Sequence, residues 1–379
     1  MIKGFWVTAL LISVVAQARG DQDCNSKVTR MLETLKAVDL QGVGNSSAAE
    51  AWKGLVQSDG DVIPEILLAM NDANELAANW LRSAIDGLVE RVRENGESLP
   101  LVALGDYLLH TSNHPRGRRL AYELIQQSHP KLAQQLIPGL LHDPSLELRR
   151  DAVSRLMDRA RELAPDDSAA AIVLYGQALR AARDVDQAND IADRMRELGE
   201  EIDTAHLFGF LRRWKVIGPF DNSGRAGFEV VYPPENKIDL SATYNGKSGP
   251  VGWTDHATAD PYGMLDVNQA YGPLKEVVAY ASSEFFSDED RRVELRLGCK
   301  NAWKVWLNGE LLFGRDEYHR AIEIDQYKLA GRLNKGRNVI LVKVCQNEEE
   351  KDWTKQWEFQ LRVSDELGTA IHSRVNLED

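Results

Sequence analysis

The feature that most constrains this chain is a change of hydrophobic period. From Ser26 to about Thr204 apolar residues recur every three or four positions, and beyond Trp214 they recur every second position. A helix closes its turn in 3.6 residues and a strand alternates in two, so no single fold class accommodates both halves. The chain is therefore expected to be a multidomain α + β protein, with an all-helical part over residues 19–205 and an antiparallel β-sandwich over residues 206–379. The length of 379 residues suits two cores of ordinary size better than one.

The first residues predict a secretory signal peptide over residues 1–18. Lys3 supplies a positive start, Phe5 to Ala16 is uncharged, and Ala16-Gln17-Ala18 is a small-x-small cleavage site. The apolar run is shorter than the roughly 20 residues a spanning helix needs, and no later segment is apolar enough to span. The expected location is secreted or periplasmic. A formal charge of -13 disfavours phosphate backbones, so nucleic acid is not an expected partner.

Three cysteines are too few for a disulfide-stapled scaffold. Cys299 and Cys345 are nonetheless a candidate pair. Parity argues against it, because Cys299 shares a face with Val293, Leu295 and Leu297, whereas Cys345 falls opposite Ile340, Val342 and Val344.

In the helical part, Leu76 to Val92 carries one continuous apolar stripe, and Pro115, Pro130, Pro144 and Pro165 punctuate the segments. The run Leu136-Ile137-Pro138-Gly139-Leu140-Leu141-His142-Asp143-Pro144, continuing through Glu147-Leu148-Arg149-Arg150-Asp151-Ala152-Val153, resembles a HEAT repeat. That resemblance implies an α-solenoid in which a turn aspartate caps the following helix and pairs with an arginine, the places filled here by Asp143 and Arg149. Leu174-Tyr175 with Ala178-Leu179 suits a tetratricopeptide repeat as well, so both subtypes stay open.

In the second part, Val293, Leu295 and Leu297 alternate with polar residues, as do Trp357, Phe359, Leu361 and Val363, and Asn308-Gly309 marks a tight hairpin. Asn301-Ala302-Trp303-Lys304-Val305-Trp306-Leu307-Asn308-Gly309, followed by Leu333-Asn334-Lys335-Gly336-Arg337-Asn338-Val339 and its strand, resembles the galactose-binding-like jelly rolls that accompany many glycoside hydrolases. That resemblance implies a fold more than an activity.

The expected activity is non-catalytic binding of a glycan or a cell-envelope protein. Sugar recognition needs an exposed aromatic face with planar polar groups around it. Parity places Trp303 and Trp357 in the core and leaves Trp306 and Trp353 as candidate rings, with Tyr318, His319, Arg320 and Asn347 supplying further contacts. Whether the chain is an enzyme is left open. His110 and His114 lack a carboxylate motif and sit at a helix end, and no nucleophile elbow, zinc helix or phosphate loop is present. No cofactor or metal is expected, apart from a candidate structural calcium at Asp221 and Asn222, where a plain Asx turn is the favoured reading. The alternatives are a structural scaffold or assembly adaptor using the helical face, and a glycoside hydrolase with two convergent carboxylates.

Overall fold

The computed structural model describes residues 26–374, so the signal peptide and Cys24 lie outside the described residues. The chain divides into two compact units, one ending at Arg159 and one beginning at Ala160.

The first unit is helical. Its helices are α1 (residues 26–36), α2 (Asn45–Val56), α3 (Ile63–Ala69), α4 (Glu75–Glu94), α5 (Leu101–Leu109), α6 (Pro115–Ser128) and α7 (Pro130–Leu136), followed by α8 (Leu146–Leu163), which reaches across the division. The stripe read from Leu76 to Val92 becomes α4, and its Leu81, Ala84, Ile85 and Leu88 are fully buried in one core with Leu35, Leu55, Leu104 and Ile125. Asn74 caps α4 by accepting from the Ala77 N–H at 2.9 Å, and Pro115 and Pro130 open α6 and α7, where a missing N–H costs nothing.

The turn before α8 is held by Asp143, and its partners differ from the pair expected. The Asp143 carboxylate accepts from the Ser145 N–H at 2.8 Å and is held by both terminal nitrogens of Arg118 on α6, at 2.7 and 2.5 Å. Arg149 instead reaches main chain, donating from Nε to the Asp143 carbonyl at 2.7 Å and from a terminal nitrogen to the His142 carbonyl at 3.0 Å. The arginine that meets the carboxylate thus comes from α6, with α7 lying between in sequence, 25 positions back in the chain. Along the neighbouring surface Arg82 of α4 pairs with Glu123 of α6 at 3.1 Å, while Arg119 of α6 pairs with both Glu123 and Asp151 of α8. Arg116 pairs with Glu75 at 3.5 Å, so all three arginines between residues 116 and 119 have carboxylate partners.

The second unit contains α9 (Ser168–Ala181), α10 (Val185–Glu197), α11 (Thr204–Phe208) and two antiparallel sheets with a shared core. One sheet has six strands in the order β4 (Thr254–Ala257), β1 (Arg213–Asp221), β6 (Val277–Ser287), β11 (Gly336–Gln346), β8 (Ala302–Leu307) and β9 (Glu310–Arg315). The other has four, in the order β10 (Tyr327–Leu333), β7 (Arg291–Cys299), β12 (Glu358–Ser364) and β5 (Leu265–Asp266). A separate small hairpin is made of β2 (Thr243–Asn245) and β3 (Pro250–Gly252). Two short helices, α12 (Pro233–Asn236) and α13 (Asn268–Tyr271), sit in the connections.

Alternation fixes what faces the core. Trp303, Val305 and Leu307 of β8 meet Phe359, Leu361 and Val363 of β12 between the sheets, where Trp214 packs edge-on against Phe359 at 5.1 Å between ring centres. The outer faces are covered in part as well. Over the six-stranded sheet lies a second apolar cluster built on Ile217, Phe220, Tyr280, Trp306, Leu341 and Cys345. Over the four-stranded sheet the polar residues of the alternation are buried: Arg296 and Arg362 are 5% and 1% exposed, and Asp325 joins them. Burial alone would raise the Asp325 carboxyl, but the Arg362 and Arg296 guanidiniums override it and hold it below the usual carboxylate range. Cys299 belongs to the intersheet core and Cys345 to the outer cluster, and both are free thiols.

Candidate functional site

Strands β1, β11 and the segment after β9 end together, and the loops there bring four of the nominated residues into one place. Asn347 follows the last residue of β11 and is fully buried. Its Oδ1 accepts from His319 Nε2 at 3.0 Å and from the Glu349 N–H at 3.3 Å, while its Nδ2 is buried with no partner. The His319 ring meets Trp353 edge-on at 5.2 Å. Trp353 stands in a short 3-10 turn (Asp352–Thr354) and is 56% exposed, with Lys351 Nζ 5.3 Å from its ring centre. Tyr318 packs behind them, its hydroxyl accepting from Asn222 Nδ2 at 3.1 Å.

Arg320 and Trp306 are placed elsewhere. The Arg320 guanidinium is exposed and bonds Glu317 at 3.0 Å, and its N–H donates to the Lys300 carbonyl. Trp306 lies on the outer face of the six-stranded sheet, as parity indicates, but is only 6% exposed because the chain folds back over that face.

Three further residues, Arg225, Glu276 and Glu348, complete the site. Arg225 makes a two-pronged contact with Glu348, with Nε at 3.0 Å and a terminal nitrogen at 2.5 Å, and lies 5.2 Å from the centre of the Tyr318 ring. The hydrogen bond from Arg225 holds the Glu348 carboxyl at about 2, well below its ordinary value. Glu276 accepts from the Gly224 N–H at 3.0 Å and donates its own N–H to the Asn347 carbonyl at 3.0 Å. Arg225, Glu276 and His319 all hold positive φ, at 65°, 53° and 60°, a conformation side chains with a Cβ rarely adopt. Such strain persists only where the surroundings over-determine it, and it concentrates at working sites. Contacts between loops 120 residues apart leave no local trace in a sequence, so these contacts were not legible there.

Asp221 and Asn222, the candidate calcium ligands, have protein partners. Asp221 Oδ1 accepts from the Ser223 N–H and hydroxyl at 3.2 and 2.7 Å, an Asx turn, and lies 3.1 Å from Lys247 Nζ. Asn222 Nδ2 donates to Tyr318 and to the Gln346 carbonyl at 2.9 Å, while its Oδ1, the atom that could ligate a cation, is buried without a partner.

The loops thus expose one indole face and a carboxylate-guanidinium pair, with the partnerless Asn347 amide nitrogen buried beneath them. Burial lowers the His319 imidazole below its ordinary value, outweighing its bond to Asn347 and the Glu349 carboxylate 4.0 Å away, so at neutral pH it is an uncharged donor.

No family model matches the chain, and no curated protein matches it. Among solved structures it is similar to the PA14 domain of an antifreeze protein, at 11% identity over 26% of this chain and 47% of that one, with a TM-score of 0.20. It is similar also to a β-glucosidase from Kluyveromyces marxianus, at 15% identity over 24% of this chain and 11% of that one, with a TM-score of 0.19. A third is a family 35 carbohydrate binding module from Clostridium thermocellum, at 12% identity over 23% of this chain and 71% of that one, with a TM-score of 0.18. The chain spans less than half the length of the first two. Likeness at this level carries no argument about function.

Proposed function

We propose that this is a non-catalytic, exported carbohydrate-binding protein, whose sheets form a galactose-binding-like jelly roll and whose helices form a HEAT-like stack that docks a cell-envelope partner. The glycan lies on Trp353. The observation that carries this reading is the half-exposed indole of Trp353, set edge-on against a His319 ring that is fixed in turn by Asn347. A pyranose offers an apolar C–H face to the ring and hydroxyls to the exposed Glu348 and Arg225 side chains.

The test is a glycan array on the purified protein, followed by titration of Trp353→Ala and Asn347→Asp against the strongest hit. Loss of binding with an unchanged Tm supports the site. Absence of binding to any glycan returns the sheets to a scaffolding role.

A further inference from the structure

The outer face of the six-stranded sheet is only partly covered. One cross-strand row, Ile217, Tyr280, Lys343 and Lys304, lies beneath the segment of residues 228–235, which is held down because Lys343 Nζ donates to the Phe228 and Val230 carbonyls at 3.0 and 2.8 Å. The adjacent row runs Asp255, Lys215, Ser282, Leu341, Trp306 and Leu311 from one sheet edge to the other. There the cover thins, although Leu341 and Trp306 at the bottom are still only 3% and 6% exposed. What remains is a groove of about 840 Å³, floored by Lys215, Ser282, Leu341 and Trp306 and walled by residues 234–240.

The floor changes character along its length. Toward β8, Ile238 of the wall packs against the cluster that holds Trp306 and Leu341, with Leu240 and Val339 also in the lining and Asn308, Asn334 and Arg337 at its rim. At the β1 end the polar groups are Arg213 and Lys215 with Asp255, and Lys215 is already engaged by Asp255 at 2.6 Å. Arg337 is likewise engaged by Glu284 at 2.6 Å, and Glu235 by the buried Lys343 at 2.8 Å. Arg213 has no ion pair among the described residues, so one positive charge is left over in an otherwise acidic protein.

We infer that this groove binds a small amphipathic carboxylate, its anionic head on Arg213 and its apolar body over Leu341 and Trp306. The volume is that of a small-molecule site, and the spare cation at one end with apolar residues at the other sets both the sign of the head and the direction in which the molecule lies. The inference is independent of the glycan site, which lies at the other loops and shares no residue with the groove.

Titration of the full chain with decanoate below its micellar range, read by Trp fluorescence and calorimetry, tests it. Saturable binding at one site is expected, with 1-decanol at least tenfold weaker. Arg213→Glu and Leu240→Asp, both exposed positions, are each expected to weaken decanoate tenfold or more without lowering Tm. The inference is overturned if decanoate does not saturate, if decanol binds equally, or if both variants bind as the parent does. It is overturned also if binding is seen only with anionic lipid vesicles, which would make the face a membrane contact.

Discussion

Lys343 Nζ lies 2.8 Å from Glu235 Oε1, with the lysine fully buried on β11 and the glutamate on the segment that folds back over the sheet. The same glutamate oxygen accepts from the Tyr280 hydroxyl, and the Lys343 ammonium is 5.6 Å from the ring centres of both Tyr232 and Tyr280. This pair pins the cover over one half of the outer face and so leaves the other half open as the groove. Burial lowers the Lys343 amine below its ordinary value, and the hydrogen bond to Glu235 opposes that.

Removing one partner leaves the other charge buried without compensation. Lys343→Met is expected to destabilise by about 3–5 kcal/mol in urea unfolding, and the double variant with Glu235→Gln to recover part of that loss. Equal stability of the single variant and the parent would show that the pair does not hold the segment.

Asp143→Ala is expected to cost more than a lost helix cap, because it strands the Arg118 guanidinium at 0% exposure. The expected loss is about 3–5 kcal/mol, against about 1 kcal/mol for a cap alone. A double-mutant cycle should show strong coupling of Asp143 to Arg118, whose contact is to the carboxylate, and weak coupling of Asp143 to Arg149, whose contacts are to carbonyls.

Stability should fall as the pH drops through about 6.5. His319 and His372 are both lowered from the ordinary value of 6.5 by burial, with Asn347 and Glu349 opposing the shift at His319 and His206, stacked at 4.5 Å, adding to it at His372. The unfolded chain then binds protons first as pH falls, so the folded state loses ground between the two values. His319→Gln should reduce the Tm difference between pH 7.5 and pH 5.5. The Lys275 and Arg225 cations near His319 act in the same direction as burial.

In a Cys24→Ser background the native protein should give no thiol reaction at pH 8. Burial pushes Cys299 and Cys345 up to about 12, so neither holds thiolate at that pH. Both should react on unfolding, counting two thiols by absorbance. Two reactive thiols in the native state would contradict their placement.

Helices α9 and α10 fall in the same compact unit as the sheets, and Arg183 Nε donates to Thr369 Oγ1 at 3.0 Å. A fragment beginning at Asp166 is therefore expected to melt higher than one beginning at His206. Equal melting curves would favour the division at residue 205 that the change of period suggests.

The sequence by itself determined the two textures and their order, the apolar stripe of α4, and the parity that sends Trp303 inward and Trp306 outward. Those follow from repeats of 3.6 and two, which are local properties of the chain. It also named Trp353, His319, Tyr318 and Asn347, because an aromatic ring in a polar loop is visible one residue at a time. Tertiary structure decided the rest. Parity says which side of a sheet a residue faces but not whether that side is wet: the returning segment buries Trp306 and Lys343 on one outer face, and Asp325 with the Phe208 and Gly368 main chain buries Arg296 and Arg362 on the other. The partner of Asp143 and the contact of Arg225 with Glu348 join residues 25 and 123 positions apart. Pairings at such separations are chosen by packing and electrostatics in the folded chain, and no period or motif records them.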